Sequence, residues 1–186
     1  MVIPMTQAAK LRALLAEDRC HIMPCCFDAL SAKLIQQEGY DLTFMSGFAT
    51  SASRIGQPDL GLMSYSEVLD TARNITDAID IPLIADGDTG YGNAMNVRRT
   101  VTGFAKAGCA SIMIEDQLAP KRCGHTPGKA VVSREAANDR IRAAVDARGA
   151  AQGHVAARAG GGGVGARGAR QVYAQGGGGG EGGERR

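Results

Sequence analysis

Two acidic segments contain the residue types most suited to metal chemistry. Asp86 and Asp88 follow one apolar run of the sequence, and Glu115 and Asp116 follow the next. Because the carboxyl ends of neighbouring parallel strands meet at one edge of a sheet, we expect these carboxylates to converge. A set of oxygen ligands suits Mg²⁺ or Mn²⁺, and such a cation would also offset the repulsion between the carboxylates. The alternative for the Asp-Gly-Asp sequence taken alone is an ordinary turn.

A basic segment, Lys-Arg-Cys-Gly-His at residues 121–125, lies in the polar connection after the second acidic segment. This position is typical of a loop that closes over a site. Basic neighbours favour the thiolate form of a cysteine, so Cys123 could donate or accept a proton at a carbon centre. The alternative is a solvent-facing cysteine on a basic loop. Cys25 and Cys26 lie in an apolar run, where we expect them to pack as small hydrophobic residues.

The elements that must position these groups alternate between apolar strands and amphipathic helices. We predict strands near residues 22–27, 42–45, 81–85 and 111–114, and helices over residues 6–16, 28–39, 67–79, 93–107 and 133–147. This order predicts a parallel α/β sheet covered by helices, and eight such units close into a (β/α)₈ barrel of about 250 residues. Only the first four units are predicted here.

The composition changes abruptly after Arg148. Residues 149–186 contain fifteen glycines and three valines, but no Leu, Ile, Met or Phe. So few apolar side chains cannot offset the entropy lost on ordering the chain. We therefore predict a half-barrel domain over residues 1–148 and a disordered Gly/Arg/Ala-rich tail over residues 149–186. The abruptness favours an out-of-frame translation, and the alternative is a natural flexible tail that could contact RNA.

Composition also restricts the classes of partner. Lys and Arg number 21 against 19 Asp and Glu, and five of the basic residues lie in the tail. We therefore expect no nucleic-acid or membrane-binding face, and a small molecule is the more natural partner. No signal peptide or membrane span is predicted, and the five cysteines lack a paired metal-ligand spacing. A cytoplasmic protein with reduced thiols is the resulting expectation.

Four segments together resemble the isocitrate lyase and phosphoenolpyruvate mutase superfamily over roughly residues 8–148. They are residues 44–47 (FMSG), 86–92 (DGDTGYG), 114–117 (IEDQ) and 121–125 (KRCGH). The last segment, with its cysteine, is similar to the corresponding loop of the lyase branches, whereas the phosphonate mutases and hydrolases usually lack this cysteine. The resemblance implies a TIM barrel and a Mg²⁺-dependent lyase, with Mn²⁺ as a possible substitute. Such a lyase cleaves a 2-hydroxy di- or tricarboxylate of the methylisocitrate or dimethylmalate type to an α-keto acid and a carboxylate.

The resemblance also implies roles for individual residues. The implied metal ligands, direct or through water, are Asp86, Asp88 and Glu115. The implied catalytic residues are Cys123, which would protonate the released enolate, together with Lys121 and Asp59. The implied binding residues for the substrate carboxylate are Ser46, Gly47, Gly124 and His125. From the residues alone, a tight turn at residues 46–47 and an ordinary turn at residue 59 remain alternatives to these roles.

The sequence departs from the family pattern after residue 148. The family is usually homotetrameric through swapped C-terminal helices, and neither these helices nor the later carboxylate-binding arginine has a match in the tail. Two alternatives to an active lyase therefore remain. The chain could be an inactive truncated fragment of the family. It could also be a relative that processes phosphonopyruvate or oxaloacetate, similar to carboxyphosphonoenolpyruvate phosphonomutase.

Overall fold

The structure is a computed structural model, and it describes residues 5–123, 127–150 and 156–160. Helices and strands alternate through most of these residues. The helices are α1 (Gln7–Leu15), α2 (Ala29–Gln37), α3 (Gly47–Ile55), α4 (Tyr65–Thr76), α5 (Ala94–Lys106) and α6 (Arg134–Ala150). The strands are β1 (Cys25–Cys26), β2 (Thr43–Met45), β3 (Leu83–Asp86), β4 (Ser111–Glu115) and β5 (Ala156–Gly160).

The strands form one parallel sheet in the order β1-β2-β3-β4-β5. Sequential strands are therefore neighbours, and each crossover between them carries at least one helix, as in a barrel of β-α units. This confirms the parallel α/β fold predicted from the alternation of elements. All strand carboxyl ends consequently lie along one edge of the sheet.

The two faces of the sheet differ in burial. Side chains alternate between the faces along each strand, and one face is packed under the helices. Its members are fully or almost fully buried: Cys26, Met45, Leu83, Ala85, Ile112 and Ile114. The opposite face carries Cys25, which is exposed, and Phe44 and Ile84, which are half-buried. The expectation that Cys25 packs in the core is therefore wrong, because it has the opposite parity from Cys26.

The main hydrophobic core lies between the packed face of the sheet and helices α4, α5 and α6. Phe104 of α5 and Ile75 of α4 are completely buried there. Helix α6 contributes only small side chains, Ala143, Ala144 and Ala147. Small residues let two helices approach closely, so this alanine-rich stretch packs against α5 despite its low hydrophobicity. Among the described residues, no helix is both long and apolar enough to cross a membrane.

Side-chain caps explain where the helices begin. The Asp28 side chain accepts a hydrogen bond from the backbone of Ser31 at 2.7 Å, and it begins α2. Ser64 and Glu67 form a reciprocal capping box at α4. Ser133 accepts from the Ala136 backbone at 3.2 Å ahead of α6. Each cap satisfies backbone N–H groups that a helix start leaves without partners. The three caps lie within three residues of the predicted starts at 28, 67 and 133.

Three elements differ from the sequence prediction. Helix α3 begins directly after β2, and Ser46 is the N-cap of this helix. The sequence predicts no helix here and leaves a tight turn at residues 46–47 as an alternative. Strand β5 lies inside the segment that was predicted to be a disordered tail. Its alanines and glycine pair with β4 through backbone hydrogen bonds, which do not depend on large apolar side chains. Helix α6 also continues to Ala150, past the predicted boundary at 148. The remaining tail residues lie outside the described part of the chain.

Candidate functional site

The centre of the candidate site is the end of β3. Asp86 is only 7% exposed, and its two carboxylate oxygens accept hydrogen bonds from two different backbone amides. The Gly47 N–H donates at 3.1 Å and the Asp88 N–H donates at 2.9 Å. A Cβ atom at position 47 would meet the Asp86 carboxylate, so only glycine lets α3 begin this close to β3. The first turn of α3 and the β3 loop are thereby held together through one buried carboxylate.

A buried ammonium group links the cysteine loop to this edge. The Nζ atom of Lys121 lies 3.1 Å from Asp59 and 3.3 Å from Asp88. The Lys121 side chain is only 2% exposed, and those of Asp59 and Asp88 are 13% and 16% exposed. Asp88 is placed for this contact by a left-handed backbone conformation, φ 53°, which aspartate tolerates better than most residues. The structure therefore brings together three residues that the sequence predicted separately.

Desolvation dominates the electrostatics of the carboxylates. Burial raises the pKa of Asp86 above its ordinary value, and the opposing effect of Lys121 does not cancel it. Burial also raises the pKa of Glu115 to about 7, while Lys121 lowers it and Asp86 and Asp88 raise it further. Charged forms of both groups are thus unfavourable without additional positive charge. The parity of β4 places Glu115 on the same face of the sheet as Asp86.

The charges around Lys121 do not balance. Burial lowers the pKa of Lys121, but Asp88, Asp86, Glu115 and Asp59 together raise it above its ordinary value. With all four ionised, four negative charges face one positive charge. This excess and the hard oxygen donors fit a divalent cation such as Mg²⁺. Among the described residues, no three His, Cys, Asp or Glu side chains converge in a metal-holding arrangement.

Asp116 lies apart from this set. It follows Glu115 and therefore has the opposite parity. Its Oδ1 atom is buried without a hydrogen-bond partner among the described residues. Asp59, rather than Asp116, is thus the fourth carboxylate that acts on Lys121.

The loop between β4 and α6 closes on itself at its base. Leu118 donates its N–H to the Ala130 carbonyl at 2.8 Å, and Val132 donates to the Asp116 carbonyl at 2.9 Å. Cys123 is only 9% exposed, so the alternative of a solvent-facing cysteine is wrong. Two other candidates in this loop, Gly124 and His125, lie outside the described residues. The predicted position of the loop, between strand four and its helix, is confirmed.

Ser46 and Gly47 already have partners at the start of α3. The Ser46 hydroxyl accepts a hydrogen bond from the Ala49 N–H at 3.2 Å, and the Gly47 N–H donates to Asp86. Both are therefore part of a helix start that faces the carboxylate site. Helix N-termini attract anions because their free N–H groups and the helix dipole are positive, so the location is compatible with carboxylate binding.

Four residues that have no role predicted from the sequence also shape the site. Tyr91 lines a small cavity with Asp59, Asp86 and Asp88, and burial raises its pKa well above the ordinary value, so its hydroxyl stays protonated. Ser51 fixes the loop that bears Asp59 by donating to the Gln57 carbonyl at 2.9 Å. The other two are Gln117, which donates a hydrogen bond to the Glu115 carboxylate, and Arg140, which donates one to the Glu115 backbone carbonyl. Tyr91 and Gln117 stand inside recognisable segments, whereas nothing local in the sequence marks Ser51 or Arg140.

A second, wider groove lies away from these carboxylates. It is formed by α2, α3 and α4 and is lined by residues of mixed charge, including Lys33, Arg54, Asp28 and Asp77. Arg54 is already paired with Asp70 at 2.9 Å. Because the groove lacks a convergent set of reactive groups, the small cavity beside Asp86 is the better candidate site.

Comparison with known proteins places this arrangement among related enzymes. Residues 11–161 match the family model described as phosphoenolpyruvate phosphomutase. The chain is 47% identical over 144 residues to 2,3-dimethylmalate lyase of Eubacterium barkeri, covering 77% of this chain and 50% of the relative. It is 48% identical over 138 residues to 2-methylisocitrate lyase of Salmonella typhimurium, covering 74% and 47%. The chain thus spans about half the length of the curated relatives it matches.

Solved structures give the same result. An oxaloacetate acetylhydrolase in complex with the inhibitor 3,3-difluorooxalacetate superposes with a TM-score of 0.80 at 41% identity, covering 83% of this chain and 53% of that chain. A phosphonopyruvate hydrolase in complex with oxalate and Mg²⁺ superposes with a TM-score of 0.72 at 37% identity, with the same coverage of 83% and 53%.

Proposed function

Because this chain belongs to the phosphoenolpyruvate mutase/isocitrate lyase superfamily, we propose that its site serves a Mg²⁺-dependent carbon–carbon lyase. The substrate would be a 2-hydroxy di- or tricarboxylate of the dimethylmalate or methylisocitrate type. The observation that carries the proposal is the buried Lys121 ammonium, in contact with Asp59 and Asp88, two residues before the buried thiol of Cys123. A relative of this chain is named 2,3-dimethylmalate lyase, and this supports the substrate class.

Asp86, Asp88 and Glu115 are the proposed metal-holding residues. Their excess negative charge over Lys121 supports this, as does a solved relative in complex with Mg²⁺ and oxalate. When bound, the cation would stabilise negative charge on the hydroxyl and carboxylate oxygens of the substrate. Mn²⁺ has the same ligand preferences and could substitute.

Cys123 is the proposed proton donor. In the reaction, a base removes the proton of the substrate hydroxyl, and the carbon–carbon bond breaks. The hydroxyl carbon becomes the carbonyl of the α-keto acid, and the electron pair of the broken bond passes into an enolate. Cys123 then gives its proton to the enolate carbon, and this yields the second carboxylate. No oxidant or reductant is needed. During these steps, Lys121 and Asp59 are proposed to keep the loop, with the positive charge of Lys121, positioned next to the site.

The carboxylate groups of the substrate need their own contacts. We assign these to Ser46, Gly47, Gly124 and His125, and the position of the first two at the start of α3 supports this assignment. The Gly47 N–H donates to Asp86 in the structure, so binding through this group would require it to be shared between two acceptors. The partner of the protein in this proposal is a small carboxylate.

The test is release of an α-keto acid by the 186-residue chain. We expect pyruvate from 2,3-dimethylmalate or 2-methylisocitrate with Mg²⁺, detected by a coupled lactate dehydrogenase assay, and loss on chelation. C123S should lower kcat by about 10²-fold or more, as is typical for loss of a general acid. The matched control C109S changes a buried thiol that makes no contribution to the proposed reaction, and it should retain kcat. Mg²⁺ should also raise the midpoint of thermal unfolding.

A second candidate reaction is processing of oxaloacetate or phosphonopyruvate. It is favoured by the similarity to solved oxaloacetate acetylhydrolase and phosphonopyruvate hydrolase structures. Turnover of either compound that persists in C123S would support it over the lyase. Absence of turnover on all four substrates, with Mg²⁺ or Mn²⁺, would contradict both reactions and support an inactive fragment of the family.

A further inference from the structure

Gln117 bonds with both ends of its side-chain amide. Its Nε2 atom lies 2.7 Å from Oε2 of Glu115, and its Oε1 atom lies 3.3 Å from the backbone nitrogen of Arg122. The residue is only 6% exposed. A buried amide that uses both ends in this way is fixed in position, because rotating it would leave a donor and an acceptor unpaired.

The chemistry of the two partners dictates the orientation of the amide. A backbone N–H can only donate, so the Arg122 nitrogen requires the amide oxygen. A carboxylate can only accept, so Glu115 requires the NH₂ group. The flipped orientation would place oxygen against oxygen at Glu115 and N–H against N–H at Arg122. Glutamine is therefore matched to this position, and neither an apolar residue nor glutamate satisfies both contacts.

The two partners of Gln117 belong to different parts of the proposed machinery. Glu115 is a proposed metal-holding residue at the end of β4. The Arg122 nitrogen belongs to the peptide group that follows Lys121, and Cys123 is the next residue along the chain. The amide thereby fixes the loop peptide between the buried ammonium and the buried thiol relative to the Glu115 carboxylate.

The backbone of Gln117 is itself held from helix α6. Arg140 Nη1 lies 3.1 Å from the carbonyl of Glu115 and 3.1 Å from the carbonyl of Gln117. Gln117 also pairs with Val131 in an isolated antiparallel bridge across the base of the loop. The amide thus extends from an anchored backbone, and its position depends little on the rest of the loop.

We propose that Gln117 is a positioning residue that holds the Glu115 carboxylate and the Lys121–Cys123 segment in one fixed geometry. The effect of Gln117 on catalysis rests on the proposed function, because it requires that Cys123 and Glu115 take part in the reaction. The linkage itself does not depend on any turnover. Without the amide, the loop should open more often, and the Cys123 thiol should become accessible.

The first test is the rate at which iodoacetamide modifies Cys123 in the 186-residue chain, followed by mass spectrometry of the Cys123 peptide. We expect Q117M to raise this rate by about tenfold or more, because two buried hydrogen bonds that oppose opening are lost. Q117E keeps the shape and the acceptor for Arg122, but it places two carboxylates in contact, and it should also raise the rate. Gln36 provides the matched control, since its Oε1 atom accepts from the Asp80 and Ile81 backbone at 2.6 and 3.2 Å away from the site. Q36M should leave the rate of Cys123 modification within about twofold of the rate in the chain without substitutions.

Two outcomes would overturn the proposal. A Cys123 modification rate in Q117M equal to that of the chain without substitutions would show that residue 117 acts only by filling space. Equal acceleration by Q36M and Q117M would show general destabilisation rather than a specific link. Where Q117M does not fold, the comparison of Q117E with Q36E decides the question in the same way.

In a chain active as a lyase, a separate readout applies. Q117M should lower kcat by at least about tenfold and change KM by less than about threefold, because a misplaced loop affects the chemical step more than substrate binding. Equal changes in kcat and KM would contradict a positioning role. A chain without lyase activity still gives the Cys123 modification rates, so failure of the proposed function and failure of this inference are distinguishable.

Discussion

Removing the charge of Lys121 should strongly destabilise the protein in the absence of a divalent cation. K121M keeps the length and apolar stem of the side chain but removes an ammonium in contact with Asp59 and Asp88. Its side chain is 2% exposed, so water cannot replace the lost contacts without opening the loop. Breaking a buried ion pair by removing one partner costs about 3–5 kcal/mol. We expect a loss near the lower value, because a carboxylate such as Glu115, whose pKa is about 7, can take up a proton.

The measurement is urea unfolding of the unmodified chain and of K121M at pH 8, with EDTA present. The matched control is K10M. Lys10 donates to the Asp80 carbonyl at 2.8 Å in an exposed position, and exposed contacts of this kind contribute about 1 kcal/mol or less. Addition of Mg²⁺ should recover part of the loss in K121M, since the cation supplies positive charge to the same carboxylates. A loss below about 1 kcal/mol in K121M, equal to that in K10M, would refute the electrostatic account of the site.

Two further predictions concern a close approach at Gly47 and the burial of Cys109. G47A should lower the free energy of unfolding by about 2 kcal/mol or more, because the added Cβ meets the Asp86 carboxylate and overpacking is costly. Helix propensity alone predicts a gain for the same change, so increased stability in urea unfolding would contradict the clash. Burial raises the pKa of Cys109 to about 12, so its thiolate fraction at pH 8 is about 10⁻⁴. Iodoacetamide should therefore modify exposed Cys25 well before Cys109 in the folded chain, and equal rates in peptide mass spectrometry would contradict this burial.

Local sequence signals were sufficient for most of the fold. Apolar runs of four to six residues between amphipathic segments predicted strands β1 to β4, and the helices predicted from residues 28 and 67 begin after the N-caps Asp28 and Ser64. Helix α3 was not predicted, because its sequence is rich in small and polar residues and its start coincides with a turn-like Ser-Gly pair. Strand β5 was not predicted either, since its pairing with β4 depends on backbone groups that composition does not reveal.

The sequence by itself determined which residue types stand at the carboxyl ends of the strands. The order of the predicted elements placed Asp86 and Glu115 at the ends of neighbouring strands, and spacing placed Lys121 and Cys123 in the loop that follows β4. These features are local, because period-two alternation and turn chemistry operate over a few residues.

Only the tertiary structure decided which of these groups touch. Packing of separate loops at one edge of the sheet places Asp59, rather than Asp116, beside Lys121. The same packing allows the two hydrogen bonds that link the Gln117 amide to Glu115 and Arg122. Burial likewise arises only from packing, and burial is the main cause of the raised pKa of Glu115. Contacts between residues distant in sequence carry no periodic signal, so the physical chemistry of the site emerges only once the chain has folded around it.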